Sequence, residues 1–141
     1  ADLSGANLTG AELNATLLEG ADLSRANLTE AILTDANLKN AFLIGANLQK
    51  ADLQGVNLEG ADMAGVKLRH ASLKNANLKQ VDLRRADLEH ADFSKANLSS
   101  ANFTGAKMSE GLFIGADLTG ANMDSAETTD TQFKGAVGFK A

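Results

Sequence analysis

The chain has no cysteine, proline, tryptophan or tyrosine, and only 4% of its residues are aromatic. Without cysteine there can be no disulfide framework and no thiolate metal site, although an empty count does not distinguish a reducing compartment from an oxidising one. With phenylalanine as the only large aromatic, the ring anchors that dominate protein hot spots and base stacking are scarce. Long apolar runs are missing too. Stretches such as Phe42-Leu43-Ile44 and Leu112-Phe113-Ile114 fall far short of the roughly 20 residues a membrane-spanning helix needs, and no targeting segment is recognisable. The net charge of −5 is small, and its sign is opposite to that of a general nucleic-acid binder.

What the chain does have is a period of five. Cut from Ala1, it divides into 28 pentads plus Ala141, with Leu, Met or Phe at the third place in 26 of them and Ala at the first place in 22. The register runs from Leu3 to Phe133 without an insertion, which is the mark of a solenoid. A helix cannot use this spacing. Five residues at about 100° each precess by about 140° per pentad and would scatter the leucines around the helix axis. The apolar intervals of two and three fit a short strand, with both side chains on one face, followed by a corner. Gly5, Gly10, Gly20 and Asn40 are corner residues of the expected kind.

Four right-angle corners close a square of twenty residues, so the chain makes about seven coils, stacked at the spacing of hydrogen-bonded strands, roughly 4.8 Å. Each inward side chain then meets the one twenty places later, as in the series Leu3, Leu23, Leu43, Met63, Leu83, Phe103 and Met123. The first place must be small, because four of its side chains share each layer with four of leucine size. Its exceptions, Thr16, Val56, Val66, Val81, Gly111 and Thr131, are small as well.

Runs such as Ala1-Asp2-Leu3-Ser4-Gly5, Ala21-Asp22-Leu23-Ser24-Arg25 and Ala96-Asn97-Leu98-Ser99-Ser100 resemble the A(D/N)LXX motif of the pentapeptide-repeat proteins. The resemblance covers about 125 residues and implies a right-handed quadrilateral parallel β-helix. The handedness is implied by the resemblance alone. The family is abundant in cyanobacteria, and most of its members carry no known biochemical activity.

Outward positions form columns twenty residues apart. Glu19, Lys39, Glu59 and Lys79 alternate in charge up one wall, as do Lys67, Asp87, Lys107 and Glu127 on another. Asn37, Asn57, Asn77 and Asn97 make an amide column able to bond to itself and to the corners. Asp62 and Asp82 stack like on like, with Arg84 and Arg85 close by. Seventeen Asp or Asn residues at the second pentad place read as architecture and not as catalytic carboxylates. The two histidines, His70 and His90, stack in a column between Lys50 and Glu110. Two imidazoles do not complete a tetrahedral zinc site, even with Glu89 and Glu110 beside them. No nucleophile has a base with an orienting third group, and no glycine loop precedes a helix. No catalytic residue, metal site or cofactor is therefore expected, and the chain does not read as an enzyme.

Departures from the repeat on the outside mark the candidate interaction residues. Phe42 with Ile44, and Leu112 with Ile114, occupy second and fourth places that should be polar, on opposite walls; Leu17 and Ile32 are further exposed apolar groups. Charge also varies along the rod. Residues 1–65 are net −6, residues 66–95 are net +3, and residues 96–141 are net −2. Arg84 and Arg85 belong to the basic girdle, with Lys67, Arg69, Lys74, Lys79 and Lys95.

From Ala126 the pattern decays, so residues 1–125 are expected to form the regular β-helix and residues 126–141 a last irregular coil and C-terminal cap. The first pentad is already complete, which leaves open a missing preceding segment or end-to-end self-association. The expected role is a rigid, non-catalytic scaffold for protein–protein interaction, with protein partners, no membrane and no direct nucleic-acid contact. Its expected location is the cytoplasm, or the periplasm or thylakoid lumen if a signal segment has been removed. The alternative is a DNA mimic, resembling the quinolone-resistance branch of the family, which presents an acidic rod to DNA gyrase. The basic middle, the absence of a projecting loop and the lack of a dimerisation helix fit that alternative poorly.

Overall fold

In the computed structural model, which describes residues 1–139, main-chain bonding repeats with the pentad. The second residue of each pentad forms a parallel bridge with the second residue twenty places on, from Asp2–Asp22 through to Asp117–Val137. Its N–H donates to the first C=O of the preceding coil (Asp22 N to Ala1 O, 2.9 Å). The third N–H donates to the following coil (Leu3 N to Asp22 O, 2.7 Å), as does the fifth (Gly5 N to Ser24 O, 2.9 Å). The first N–H closes a turn on the pentad before it (Ala6 N to Leu3 O, 3.0 Å). The short strand is thus pared to one bridging residue and its flanks, because a corner every five residues leaves no room for a longer ladder.

Each corner turns on its last residue. Every fifth residue from Gly5 to Gly135 has a positive φ, between 57° and 72°, while the fourth does not; this is the sign pattern of a type II turn. Sixteen of these left-handed residues are not glycine, among them Arg25, His70, Arg85 and His90, although the conformation costs an L-residue about 1–2 kcal/mol. At Gly55 a Cβ would meet the end of the Asp35 side chain of the coil before, which would have to turn aside to admit it.

Four of the five N–H groups are satisfied by main chain. The fourth is left over, and the second-place side chain takes it. At all seventeen Asp or Asn positions one carboxylate or amide oxygen accepts the N–H two residues on, from Ser4 N to Asp2 Oδ1 (3.0 Å) to Asp124 N to Asn122 Oδ1 (2.9 Å). Every pentad of the A(D/N)LXX type between Ala21 and Gly105, with a coil on either side, thereby accounts for all its main-chain donors.

The four inward columns fill the square. Leu23, Leu28, Leu33 and Leu38 in one layer, and their counterparts up to Leu118, are 0–1% exposed. From the fifth coil upward the third wall changes from leucine to phenylalanine. Phe93 stacks on Phe113 (centroids 4.8 Å), Phe113 on Phe133 (5.5 Å) and Phe133 on Phe139 (3.8 Å), with Phe103 edge-on to Phe113. The two threonines at first places satisfy their hydroxyls by donating to main chain, Thr16 to Leu13 O (2.7 Å) and Thr131 to Met108 O (2.8 Å). Beyond Ala126 the bridges continue at Glu127, Gln132 and Val137, and Phe139 lies against the core cluster. Lys140 and Ala141, the end of the expected cap, lie outside the described residues.

Candidate interaction surfaces

With twenty residues to a coil, the four pentads of each coil build four walls, the first wall carrying residues 1–5, 21–25, 41–45 and so on. This wall brings together four of the six candidate residues. Phe42 and Ile44 sit in its third coil, 47% and 43% exposed, and Arg84 and Arg85 sit two coils above. Between them lie Asp62, Ala64 and Gly65, where a Cβ would meet nothing. Phe42 has displaced the second-place Asp or Asn of its column, and no acceptor for the Ile44 N–H is found. Ile114 repeats this construction on the third wall, opposite, beside Leu112, which is half-buried. There the neighbours Lys74, Asp92, Ser94 and Lys95 line a shallow depression. Leu17 and Ile32 lie on the fourth and third walls and join neither pair.

The stacked aspartates of the first wall are resolved by a fork. Arg84 donates from Nε and Nη2 to both carboxylate oxygens of Asp82, at 2.7–3.0 Å. This hydrogen bonding holds the Asp82 carboxyl below its ordinary range and raises Arg84. Asp2 and Asp117 are lowered in the same way, by the hydroxyls of Ser4 and Thr119. Six such hydroxyls, including those of Thr9, Thr29, Ser99 and Thr104, donate to the second-place oxygen of their own turn, and none of them bonds to a histidine.

The basic girdle is a belt around one level. Arg69, Lys74, Lys79 and Arg84 fill the fourth place of four successive pentads, so one cation stands at each corner of the square. Three of them have partners: Arg69 with Asp87 (3.6 Å) and Glu89 (3.4 Å), Lys74 with Asp92 (3.6 Å), and Arg84 with Asp82. The expected charge ladders do not form. Among the described residues no ion pair links Glu19, Lys39, Glu59 and Lys79, and Asp87 pairs with Arg69 instead of Lys67 or Lys107. Extended lysines in water gain too little from a straight rung to offset the lost side-chain freedom. The amide column bonds mainly to its own corners, with one rung between coils (Asn77 Nδ2 to Asn57 Oδ1, 3.4 Å).

His70 and His90 stack with ring centroids 4.7 Å apart and planes 8° from parallel, and His90 Nδ1 lies 3.4 Å from Glu110 Oε2. Among the described residues no group of three or more His, Asp or Glu is placed to hold a metal ion. No helix there is long and apolar enough to cross a membrane.

A model of the pentapeptide repeats matches in eight copies that together run from residue 1 to residue 137. The chain belongs to the pentapeptide-repeat family. Its coil is the right-handed quadrilateral β-helix of that family. The pentapeptide-repeat chain is similar to HetL, a protein involved in heterocyst differentiation regulation from the cyanobacterium Nostoc sp. strain PCC 7120. The two share 37% identity and a TM-score of 0.96, over 100% of this chain and 65% of HetL. It therefore spans less than two thirds of that protein. A pentapeptide-repeat protein from the Arabidopsis thaliana thylakoid lumen matches at 32% identity and a TM-score of 0.66, over 68% of this chain and 67% of that one. A trypsin-treated form of QnrB1, a plasmid-mediated fluoroquinolone resistance protein, matches at 22% identity and a TM-score of 0.72, over 99% and 73%, a likeness of fold alone. No curated protein matches the sequence.

Proposed function

We propose that this pentapeptide-repeat protein is a rigid, non-catalytic scaffold that presents separate contact sites to other proteins. One observation carries the reading. At Phe42/Ile44 and Leu112/Ile114 an apolar pair replaces the turn-bonding side chain, so the local structure gives up a hydrogen bond to expose hydrophobic surface. The seventeen Asp and Asn residues at second places serve their turns; Phe42 and Leu112, like Leu17 and Ile32, do not, and each of the first two carries a second apolar side chain two places on. Arg84 and Arg85 supply charge on the first wall, above the Phe42/Ile44 pair. Chemical crosslinking of the chain in extracts of its source organism tests this, run beside a Phe42→Ser/Leu112→Ser variant of unchanged thermal stability. Loss of specific crosslinked species in the variant supports the scaffold, and an identical pattern overturns it.

A DNA mimic directed at gyrase needs sustained negative potential along the rod. The belt of Arg69, Lys74, Lys79 and Arg84 interrupts it at mid-length. The expected outcome of a gyrase supercoiling assay is neither inhibition nor protection from quinolone poisoning; a clear effect of either kind would put the mimic ahead of the scaffold.

A further inference from the structure

We propose that copies of the chain associate side by side with parallel axes, the first wall of one seated on the third wall of the next. The inference rests on reading Phe42/Ile44 and Leu112/Ile114 as protein contacts, and it names a second copy as what occupies them. Opposite walls of one square face opposite ways, so a translation without any rotation sets the first wall of one copy against the third wall of another. The chain runs across these two walls in opposite directions. A second-place side chain on one therefore meets a fourth-place side chain on the other. A shift along the axis of about three and a half coil spacings, about 17 Å at 4.8 Å each, brings the third coil of one copy level with the sixth coil of the next.

In that register apolar groups meet apolar groups and charges meet their opposites. Phe42 faces the partner's Ile114, and Ile44 faces the partner's Leu112. One coil below, Asp22 lies beside the corner that carries the partner's Lys95, and Arg25 lies beside the partner's Asp92. In the first coil Asp2 faces the partner's Lys74, and in the fourth Asp62 faces the partner's Lys134. No two like charges are opposed at these places. The groups are also free to respond. Among the described residues Asp2, Asp22 and Asp62 each spend only Oδ1, on their own turn, and Arg25, Lys95 and Lys134 make no ion pair. Shape agrees with charge. Lys74, Ser94, Lys95, Leu112 and Ile114 line the depression on the third wall, and the register brings Phe42, the most exposed apolar side chain of the first wall, over it.

A slip of one coil either way destroys the match. With the third coil level with the fifth, Ile44 meets the carboxylate of Asp92 and Asp62 meets Ile114. With the third level with the seventh, Phe42 meets Lys134 and Asp22 meets Ile114. Apolar groups set against charges disfavour both slipped pairings. The area is sufficient. Four of seven coils on one wall of four amount to about 900 Å² per copy, out of the 6619 Å² that the chain exposes, against about 800 Å² per partner in an interface of standard size. The two surfaces differ, so each copy offers one and accepts another, and repeated translation builds an open staircase instead of a closed dimer.

Sedimentation equilibrium and light scattering on the full chain, from micromolar to millimolar concentration, give the test. The mean mass should rise with concentration past that of a dimer without levelling off. Phe42→Asn spoils the first wall and Leu112→Asn the third, and each asparagine supplies the acceptor its turn lacks, so neither should lower thermal stability. Each variant alone should associate about tenfold more weakly or worse. Mixed, the two should form a one-to-one pair that grows no further, because the first keeps an intact third wall and the second an intact first wall. Leu17→Asn, off both walls, should change nothing. A monomer at every concentration, a closed dimer of the unaltered chain, a mixture that stays monomeric, or equal weakening by Leu17→Asn each overturns the proposal. The scaffold reading fails separately. A monomeric chain that loses its crosslinks to other proteins in the Phe42→Ser/Leu112→Ser variant leaves that reading standing and refutes the self-association, whereas an assembling chain crosslinked only to itself does the reverse.

Discussion

At the scale of single residues, the second pentad place works as the acceptor for a main-chain donor that the coil cannot otherwise satisfy. Asn97 shows the role cleanly, taking both the N–H (3.0 Å) and the hydroxyl (2.7 Å) of Ser99. Asn97→Ala should cost about 1 kcal/mol while Asn97→Asp is close to neutral, measured as the shift in urea midpoint at constant slope. A second residue effect lies inside. Gly111 stands where alanine is usual because a Cβ there would come within 3.1 Å of Phe113 Cε2 and 3.0 Å of Met108 O. Gly111→Ala should therefore destabilise by about 1–3 kcal/mol, and the penalty should shrink when Phe113→Leu removes the ring. Equal penalties in both backgrounds would show that the ring is not what excludes the methyl group. The sequence made aspartate and asparagine visible as architecture, yet not which N–H each one serves, because that requires every donor of the pentad to be assigned first. The left-handed fifth place was likewise half legible. Gly5 and Asn40 announce it, whereas Arg25 and His70 adopt it only because the stacked turns impose it.

At the scale of the turn and the wall, bonding patterns become measurable as exchange and titration. Amides of Ile44 and Ile114 should exchange with solvent much faster than the fourth-place amide of Ser99, since no acceptor covers them; equal protection would show that another acceptor serves them. Acid should act through the depressed carboxylates. The groups on Asp2, Asp82 and Asp117 titrate lower in the folded chain than in the unfolded one. Their contribution is therefore complete above the unfolded value of about 3.9 and is lost as pH falls through the lower folded values. Melting temperature should be flat near pH 5 to 6 and fall below about pH 4. Asp82→Asn, which keeps the turn acceptor but loses the fork to Arg84, should flatten part of that slope. Wall membership was legible from division by twenty, which placed Phe42/Ile44 and Leu112/Ile114 on opposite sides. The pairing of charges was legible only in part. Straight rungs were expected up the columns, and Arg69 does reach Glu89 in its own column, but the other ion pairs run diagonally, as Arg69 to Asp87 and Lys74 to Asp92, or within a pentad, as Arg84 to Asp82, because side-chain reach and not column membership selects the partner.

At the scale of the whole molecule, no main-chain bond among the described residues joins positions further apart than adjacent coils. Each bond outside the turns spans 19 or 21 residues, as Leu3 to Asp22 and Asp22 to Ala1, and the layers of leucine touch only the layers next to them. Such a rod is a one-dimensional chain of coupled units, held together by interfaces between neighbours. A defect in the middle should therefore divide it without dissolving it. Leu68 is 0% exposed in the fourth coil, and Leu68→Asp would bury a charge with no partner. Amide exchange by mass spectrometry should then show residues 61–80 opening while coils at residues 21–40 and 101–120 keep most of their protection. Uniform loss of protection over all coils would mean that the rod folds as one indivisible core. Coupling through neighbours alone also explains why function can collect at isolated points. A coil that surrenders one turn bond at Ile44 weakens its own corner and its two interfaces, and the coils beyond them bear none of the loss.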